Sequence, residues 1–230
     1  MKKQELIKVL EDFAPLETQE NWDNSGWQIL TGKENINKAM LCLSVTKDVI
    51  EQAKQAYCDI IISHHPLFYV PFSFNQGISI YSAHTNLDKA RGGTTDRIIE
   101  LLGYKNTEKI EDFVRTVSDN TTLDEFILKL KIALNLSHIR VSNNNKINKI
   151  RKIAFCAGSG SEFEDLAIEN GADVLVTGDV KYHKALDSKI VLIDIGHFES
   201  EIPIVNTLEK LLKDKVEIVI AKEKSPFQYC

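Results

Sequence analysis

The apolar run Asp59-Ile60-Ile61-Ile62 passes without a break into Ser63-His64-His65-Pro66, and this junction constrains the fold more than any other stretch. A short unbroken apolar run of this kind reads as a buried strand that ends at a site. Side chains on a strand alternate between faces, so adjacent histidines on a regular strand would point apart. For His64 and His65 to serve one small site, the backbone must leave the strand there. Pro66 supports that break, since it has no amide donor and restricts His65 to extended conformations. Imidazoles diverging from such a bend can each hold a metal ion, with carboxylates from elsewhere bridging the pair. Two unrelated, hydrogen-bonded histidines are the competing reading.

The rest of the chain supplies strands and helices in alternation. Leu6, Ile7, Val9, Leu10 and Phe13 mark one face of a first helix that Pro15 ends. The segment Glu20 to Gly26 is dense in turn formers; the spacing predicts a turn anchored by Trp22 in the core, with a pocket lined by Asp23 and Asn24 as the functional alternative. Ala39 to Val45 reads as a strand, followed by a helix from about Lys47 to Tyr57 with Thr46 at its N-cap. A strand from Ile78 to Ala83 runs into His84-Thr85-Asn86-Leu87-Asp88, and a helix restarts at Thr94 or Thr95 and ends near Gly103. The stretch from Glu108 to Asn148 is more polar and reads as peripheral structure, with a capping box at Thr122 and Glu125 ahead of a helix carrying Phe126, Leu128, Leu130 and Ile132. Ile153 to Ala157 starts a further strand. Ser161 and Glu164 have capping-box spacing after Gly158-Ser159-Gly160, a turn whose amides can also receive a phosphate. Strands at Val174 to Thr177 and Ile190 to Ile195 open into Gly178-Asp179-Val180-Lys181-Tyr182-His183 and Gly196-His197-Phe198-Glu199-Ser200-Glu201. A helix through Leu212 and a strand at Val216 to Ala221 complete an α/β pattern, in which sites form beyond the carboxyl ends of the strands.

At 230 residues the chain fits one large domain or two closely packed lobes, with approximate lobes 1–108 and 109–230. A net charge of −5 argues against a generic nucleic-acid binder, because such affinity comes from basic neutralisation of phosphates. Cys42, Cys58, Cys156 and Cys230 show no CxxC spacing and read as reduced structural thiols. The N-terminus lacks the apolar stretch of a signal peptide, and no apolar segment approaches the ~20 residues needed to span a bilayer, so a cytoplasmic protein without membrane association is expected.

The two halves can be laid over each other. A strand, a helix and Ile61-Ile62-Ser63-His64-His65 answer to a strand, a helix and Leu175-Val176-Thr177-Gly178-Asp179; Ala83-His84 with Asp88 answers to Gly196-His197 with Glu201. Both of the latter are H-x-x-x-acid patterns directly after a strand. On a helical turn, positions four apart share one face and aim an imidazole and a carboxylate at one point. One such pair is a common accident and reads as a surface ion pair; two in equivalent places beside a His-His are not. Nitrogen and oxygen donors suit zinc, iron or manganese, with no thiolate needed.

These motifs, together with Trp22-Asp23-Asn24-Ser25-Gly26, resemble the NIF3-like dinuclear metal proteins, a family also known as GTP cyclohydrolase 1 type 2. The resemblance runs nearly end to end. It implies two interlocked α/β lobes from an internal duplication with a metal site between them, and two divalent ions per chain held by His64, His65, Asp88, His197 and Glu201. Asp88 and Glu201 would be the bridging carboxylates. It also implies a homohexameric ring built from dimers, with the metal sites facing an internal cavity. The chain departs from the family in lacking the central domain of longer members and in having Ser44 where many relatives have an aspartate before Val45-Thr46. The expected activity is metal-dependent hydrolysis, with C8 of the guanine ring of GTP as the attacked carbon and formate as the group lost. His84 or His183 would move protons, and Lys181 would meet a phosphate. The competing expectation is a metal-binding regulatory or scaffold ring.

Overall fold

The computed structural model describes residues 1–228, and Cys230 lies outside the described residues. In chain order the first repeat contains α1 (Lys3–Phe13), β1 (Gly26–Ile29), β2 (Lys38–Cys42), α2 (Lys47–Gln55), β3 (Ile60–Ser63), β4 (Ser79–Ser82), α3 (Thr85–Lys89) and α4 (Thr94–Leu101). Two strands follow, β5 (Glu108–Lys109) and β6 (Arg115–Thr122). The second repeat contains α5 (Leu123–Ala133), β7 (Arg140–Ser142), β8 (Lys149–Ser159), α6 (Glu164–Glu169), β9 (Val174–Gly178), α7 (Tyr182–Asp187), β10 (Val191–Asp194), α8 (His197–Glu201) and α9 (Ile204–Leu212), and β11 (Glu217–Ile220) ends the pattern. The chain forms two compact units: Met1–Gly93 with Ile204–Pro226, and Thr94–Pro203 with Phe227 and Gln228. The last long helix of each repeat thus belongs to the unit of the other repeat: α4 to the second unit, α9 to the first.

The first unit is built on a five-stranded sheet in the order β1-β4-β3-β2-β11, parallel except for β1. Met40, Val49, Ile50, Ile61 and Ile80 form the core on the α2 face, and α9 packs on α1, β2 and β11. Strands covered on both faces read as continuous apolar runs, which is why Ile60, Ile61 and Ile62 are all buried. Thr46 Oγ1 accepts from the Val49 amide at 3.1 Å, so the expected N-cap of α2 forms.

A six-stranded sheet in the order β5-β6-β8-β9-β10-β7 carries the second unit; β8, β9 and β10 run parallel, β6 and β7 run antiparallel to them, and β5 pairs antiparallel with β6. The strand period sorts its core: Ile153, Phe155, Val174, Val176 and Ile193 join one cluster, and Ala154, Cys156, Leu175 and Leu192 the other. The segment 108–148 is not peripheral. Strand β6 lies inside the sheet, and Phe126 and Leu130 of α5 are fully buried, while Leu128 and Ile132, each two positions off the stripe of Leu123, Phe126 and Leu130, fall on the opposite face and meet solvent. The Thr122–Glu125 capping box at the start of α5 forms. The one expected at Ser161 does not: Glu164 is buried and turns instead to Lys184 Nζ, Ser188 Oγ and the Lys189 amide.

The duplication holds in hydrogen-bond detail. Tyr57 and Gly171 both take left-handed backbone after their helices. Two residues on, one oxygen of Asp59 accepts from the amides of Asn37 and Lys38, and one oxygen of Asp173 accepts from those of Arg151 and Lys152. Each aspartate thereby ties the start of the central strand to its parallel neighbour, satisfying amides the ladder leaves open. Among the described residues no helix is long and apolar enough to cross a membrane.

Candidate metal centre

In the first unit, β2 ends at Cys42 rather than running to Val45, but its direction persists long enough for the His64 and His65 amides to bond the Cys42 and Leu43 carbonyls at 3.3 and 2.9 Å. His64 is fully buried and His65 half-buried. Their ring centroids are 4.9 Å apart, and that of His84, just beyond β4, is 5.2 Å from His64 and 5.7 Å from His65. The three rings offer nitrogens within 4.8 Å of one another, a spacing that can hold a metal ion. Asp88 follows one helical turn after His84, its amide bonded to the His84 carbonyl, and its Oδ1 lies 3.6 Å from His64 Nε2.

Each ring is aimed by its other nitrogen. His64 Nδ1 donates to the Ala83 carbonyl at 2.9 Å, His84 Nδ1 to Asp23 Oδ1 at 2.8 Å, and His65 Nδ1 meets Ser44 Oγ at 2.7 Å. Asp23 is the residue the sequence reading undervalued. Trp22 is 62% exposed and does not anchor the turn in the core; the side chain of Asp23 is completely enclosed instead. The Asp23 carboxylate accepts from Ser25 Oγ and the Thr85 amide as well as from His84. Burial alone would raise its pKa, but the hydrogen bonds from His84 and Thr85 outweigh burial and hold the carboxyl well below the usual range. The Trp22 ring lies edge-on to His84, 6.0 Å away, so the tryptophan borders the imidazole cluster.

The second unit repeats the device. His197 opens α8, donates from Nδ1 to Asp179 Oδ2 at 2.7 Å, and presents Nε2 to Glu201 Oε2 at 3.0 Å, four residues on. Hydrogen bonding to Glu201, with a further contribution from Asp179, overcomes partial burial and pushes the His197 pKa up to about 9. A ring flanked by acceptors at both nitrogens holds a second proton, and the space between Nε2 and Oε2 is one a cation can take in that proton's place.

Glycine explains the approach of α8 to β8. Gly158 has φ +65°, and a Cβ there would overlap Glu201 Oε1. The Gly158 amide bonds Ser200 Oγ and the Gly160 amide bonds Thr177 Oγ1, so these two groups serve the protein itself rather than an expected phosphate. His183 stands apart, exposed on α7 with its ring against Tyr182 at 5.2 Å, and Lys181 is exposed at the N-cap of that helix.

The donors in hand, imidazole nitrogens backed by carboxylate, carbonyl or hydroxyl groups and accompanied by carboxylate oxygens, fit a divalent ion of the zinc, iron or manganese kind. Fold and donor set together define a class: an α/β protein with duplicated sheets whose strand ends carry histidine and carboxylate clusters able to bind metal. More particularly, the family model described as Duf34/NIF3 (NGG1p interacting factor 3) matches residues 1–226, and the chain belongs to that family. It is 35% identical to a Campylobacter jejuni protein and 33% identical to one from Clostridium perfringens, each named GTP cyclohydrolase 1 type 2 homolog and each matched over 100% of both chains. Among solved structures it is similar to a Bacillus cereus protein related to NIF3, with a TM-score of 0.89 at 20% identity, covering 100% of this chain and 99% of that one.

Proposed function

We propose that the protein is a metal-dependent hydrolase in which His64, His65, Asp88, His197 and Glu201 would hold two divalent cations, with Asp88 and Glu201 as the carboxylates that would serve both. The observation that carries this reading is the shared presentation of His64, His65, His84 and His197, each engaging a partner through Nδ1. Ligating histidines are characteristically fixed in this way through the second nitrogen. Two bound divalent ions supply Lewis acidity and acidify a bound water toward neutrality.

The chain's own contribution is orientation and proton handling. Asp23 and Asp179 fix the rings of His84 and His197 and make their far nitrogens better donors. His84, beside His64 and held by Asp23, is a further donor to metal or a carrier of the proton that leaves the attacking water. His183 and Lys181 are exposed groups for an outer role toward a charged substrate. Relatives named GTP cyclohydrolase 1 type 2 homolog favour GTP as substrate, opened at C8 of the guanine ring with loss of formate. A homohexameric ring is part of the same proposal.

A second reading, a metal-dependent scaffold without turnover, draws on the family's description as an interacting factor and on the exposed Phe68, Tyr69 and Phe72 just beyond the His-His motif. Chelation separates the two. The hydrolase reading predicts formate release from GTP that disappears with chelator and returns with zinc or manganese, while the protein's assembly state is unchanged. Absence of formate from the fully loaded protein, with an assembly that falls apart on chelation, would favour the scaffold.

A further inference from the structure

The four aimed histidines do not have equivalent partners. The Ala83 carbonyl and the Asp23 and Asp179 carboxylates can only accept, so they fix the proton of His64, His84 and His197 on Nδ1 and leave Nε2 as the basic nitrogen. Ser44 Oγ, 2.7 Å from His65 Nδ1, can accept or donate. Rotation of that hydroxyl lets Ser44 accommodate either tautomer of His65, and one of the two places the proton on Nε2.

Ser44 is itself held from the far end of the chain. The Glu223 carboxylate accepts from the Leu43 amide at 2.6 Å and from the Ser44 amide at 2.9 Å, capping the point where β2 stops. Burial raises the Glu223 pKa against these two amide bonds, so the carboxylate sits there at the expense of its own solvation. His65, Ser44 and Glu223 all lie in the first unit.

We infer that Ser44, fixed by Glu223, is the positioning residue for His65, and that its hydroxyl makes His65 the most readily exchanged histidine ligand of the centre. The inference rests on the metal-centre reading. Binding at Nε2 requires the hydroxyl to accept from Nδ1, an arrangement that the acceptor-only carbonyl and carboxylates impose on the other three rings and that the hydroxyl does not. The ion that depends on His65 is accordingly the first to leave.

The test is a chelator titration of the zinc-loaded full-length protein, following release ion by ion, with thermal melting of the metal-free forms alongside. Wild-type protein should lose zinc in two steps. Ser44→Ala should shift the first step by about 10–100-fold in affinity, the range seen when such supporting groups are removed, and leave the second in place. Ser44→Thr should restore the first step, since it keeps the hydroxyl. Glu223→Ala should weaken the same step, and metal-free Ser44→Ala should melt with the wild type. Release from Ser44→Ala indistinguishable from wild type would overturn the inference while leaving the metal centre intact, as would equal weakening in Ser44→Ala and Ser44→Thr. A wild-type protein that takes up no zinc would overturn both.

Discussion

A histidine ligand needs one nitrogen for the metal and the other for something that holds the ring, and the second requirement shapes this chain as much as the first. Asp23 reaches His84 from a loop about sixty residues earlier in sequence, and Asp179 reaches His197 from the end of a neighbouring strand. Asp179→Asn should lower zinc affinity by about 10–100-fold, read by competition with a coloured chelator, and Asp23→Asn should do the same where His84 is a donor to the metal but leave affinity unchanged where His84 only carries a proton. Gly158 tests the geometry from the other side. Gly158→Ala forces a methyl group onto the Glu201 carboxylate at a left-handed backbone position, and should cost the centre its metal as well as lowering the melting temperature. The ligand candidates were legible in the sequence because H-x-x-x-acid recurs at equivalent strand ends. Their supports were not. Asp23 sits in a segment that reads as a turn, with a pocket lined by Asp23 and Asn24 as the alternative and nothing to tie it to His84, and Ser44 lies where sequence predicts an unbroken strand to Val45, whereas β2 ends at Cys42. What ties them to the histidines is contact between residues remote in sequence, which no local pattern carries.

At the scale of the element, local signals translated well where the chemistry was local. Thr46 and the Thr122–Glu125 box cap their helices as spacing predicts, since a cap needs only three neighbours. The Ser161–Glu164 pair fails because Lys184 and Ser188, far along the chain, compete for the same carboxylate. Segment 108–148 misled for a related reason: most of its polar residues are exposed, while a minority of apolar ones, Val117, Phe126 and Leu130 among them, are buried in the core. Comparing repeats exposes an unoptimised site. Tyr57 holds φ +56° and is exposed where the second repeat has Gly171, so Tyr57→Gly should stabilise the protein by about 1 kcal/mol, measured by chemical denaturation. Asp59 supplies a pH signature. Burial raises its pKa, but the hydrogen bonds from Lys33, Asn37 and Lys38 prevail and lower it. A carboxyl lowered in the folded state contributes stability that is complete above its unfolded value and is lost as pH falls through the folded one. Asp59→Asn should therefore flatten the decline of the urea midpoint below about pH 4 relative to wild type.

The exchange of terminal helices is the main feature of the molecule as a whole. Residues Ile204, Val205, Leu208 and Leu212 of α9 are buried in a unit most of whose other elements come from the first 93 positions. A fragment of residues 1–103 should accordingly lack a cooperative thermal transition, because α9 and β11 are missing from its core and sheet edge; a sharp transition in that fragment would show the first unit to be self-sufficient. The α/β class and the duplication were readable from strand–helix alternation and repeated motifs. The exchange was not, because nothing in the local sequence of α4 or α9 says which repeat each will complete. Each unit carries part of the proposed ligand set, and the central claim is that both parts serve one pair of ions. Elemental analysis of purified wild-type protein beside Asp88→Ala and Glu201→Ala, after loading and exhaustive desalting, tests it most directly. A shared centre requires two ions per chain in the wild type and essentially none in either variant; full occupancy in both variants would rule it out.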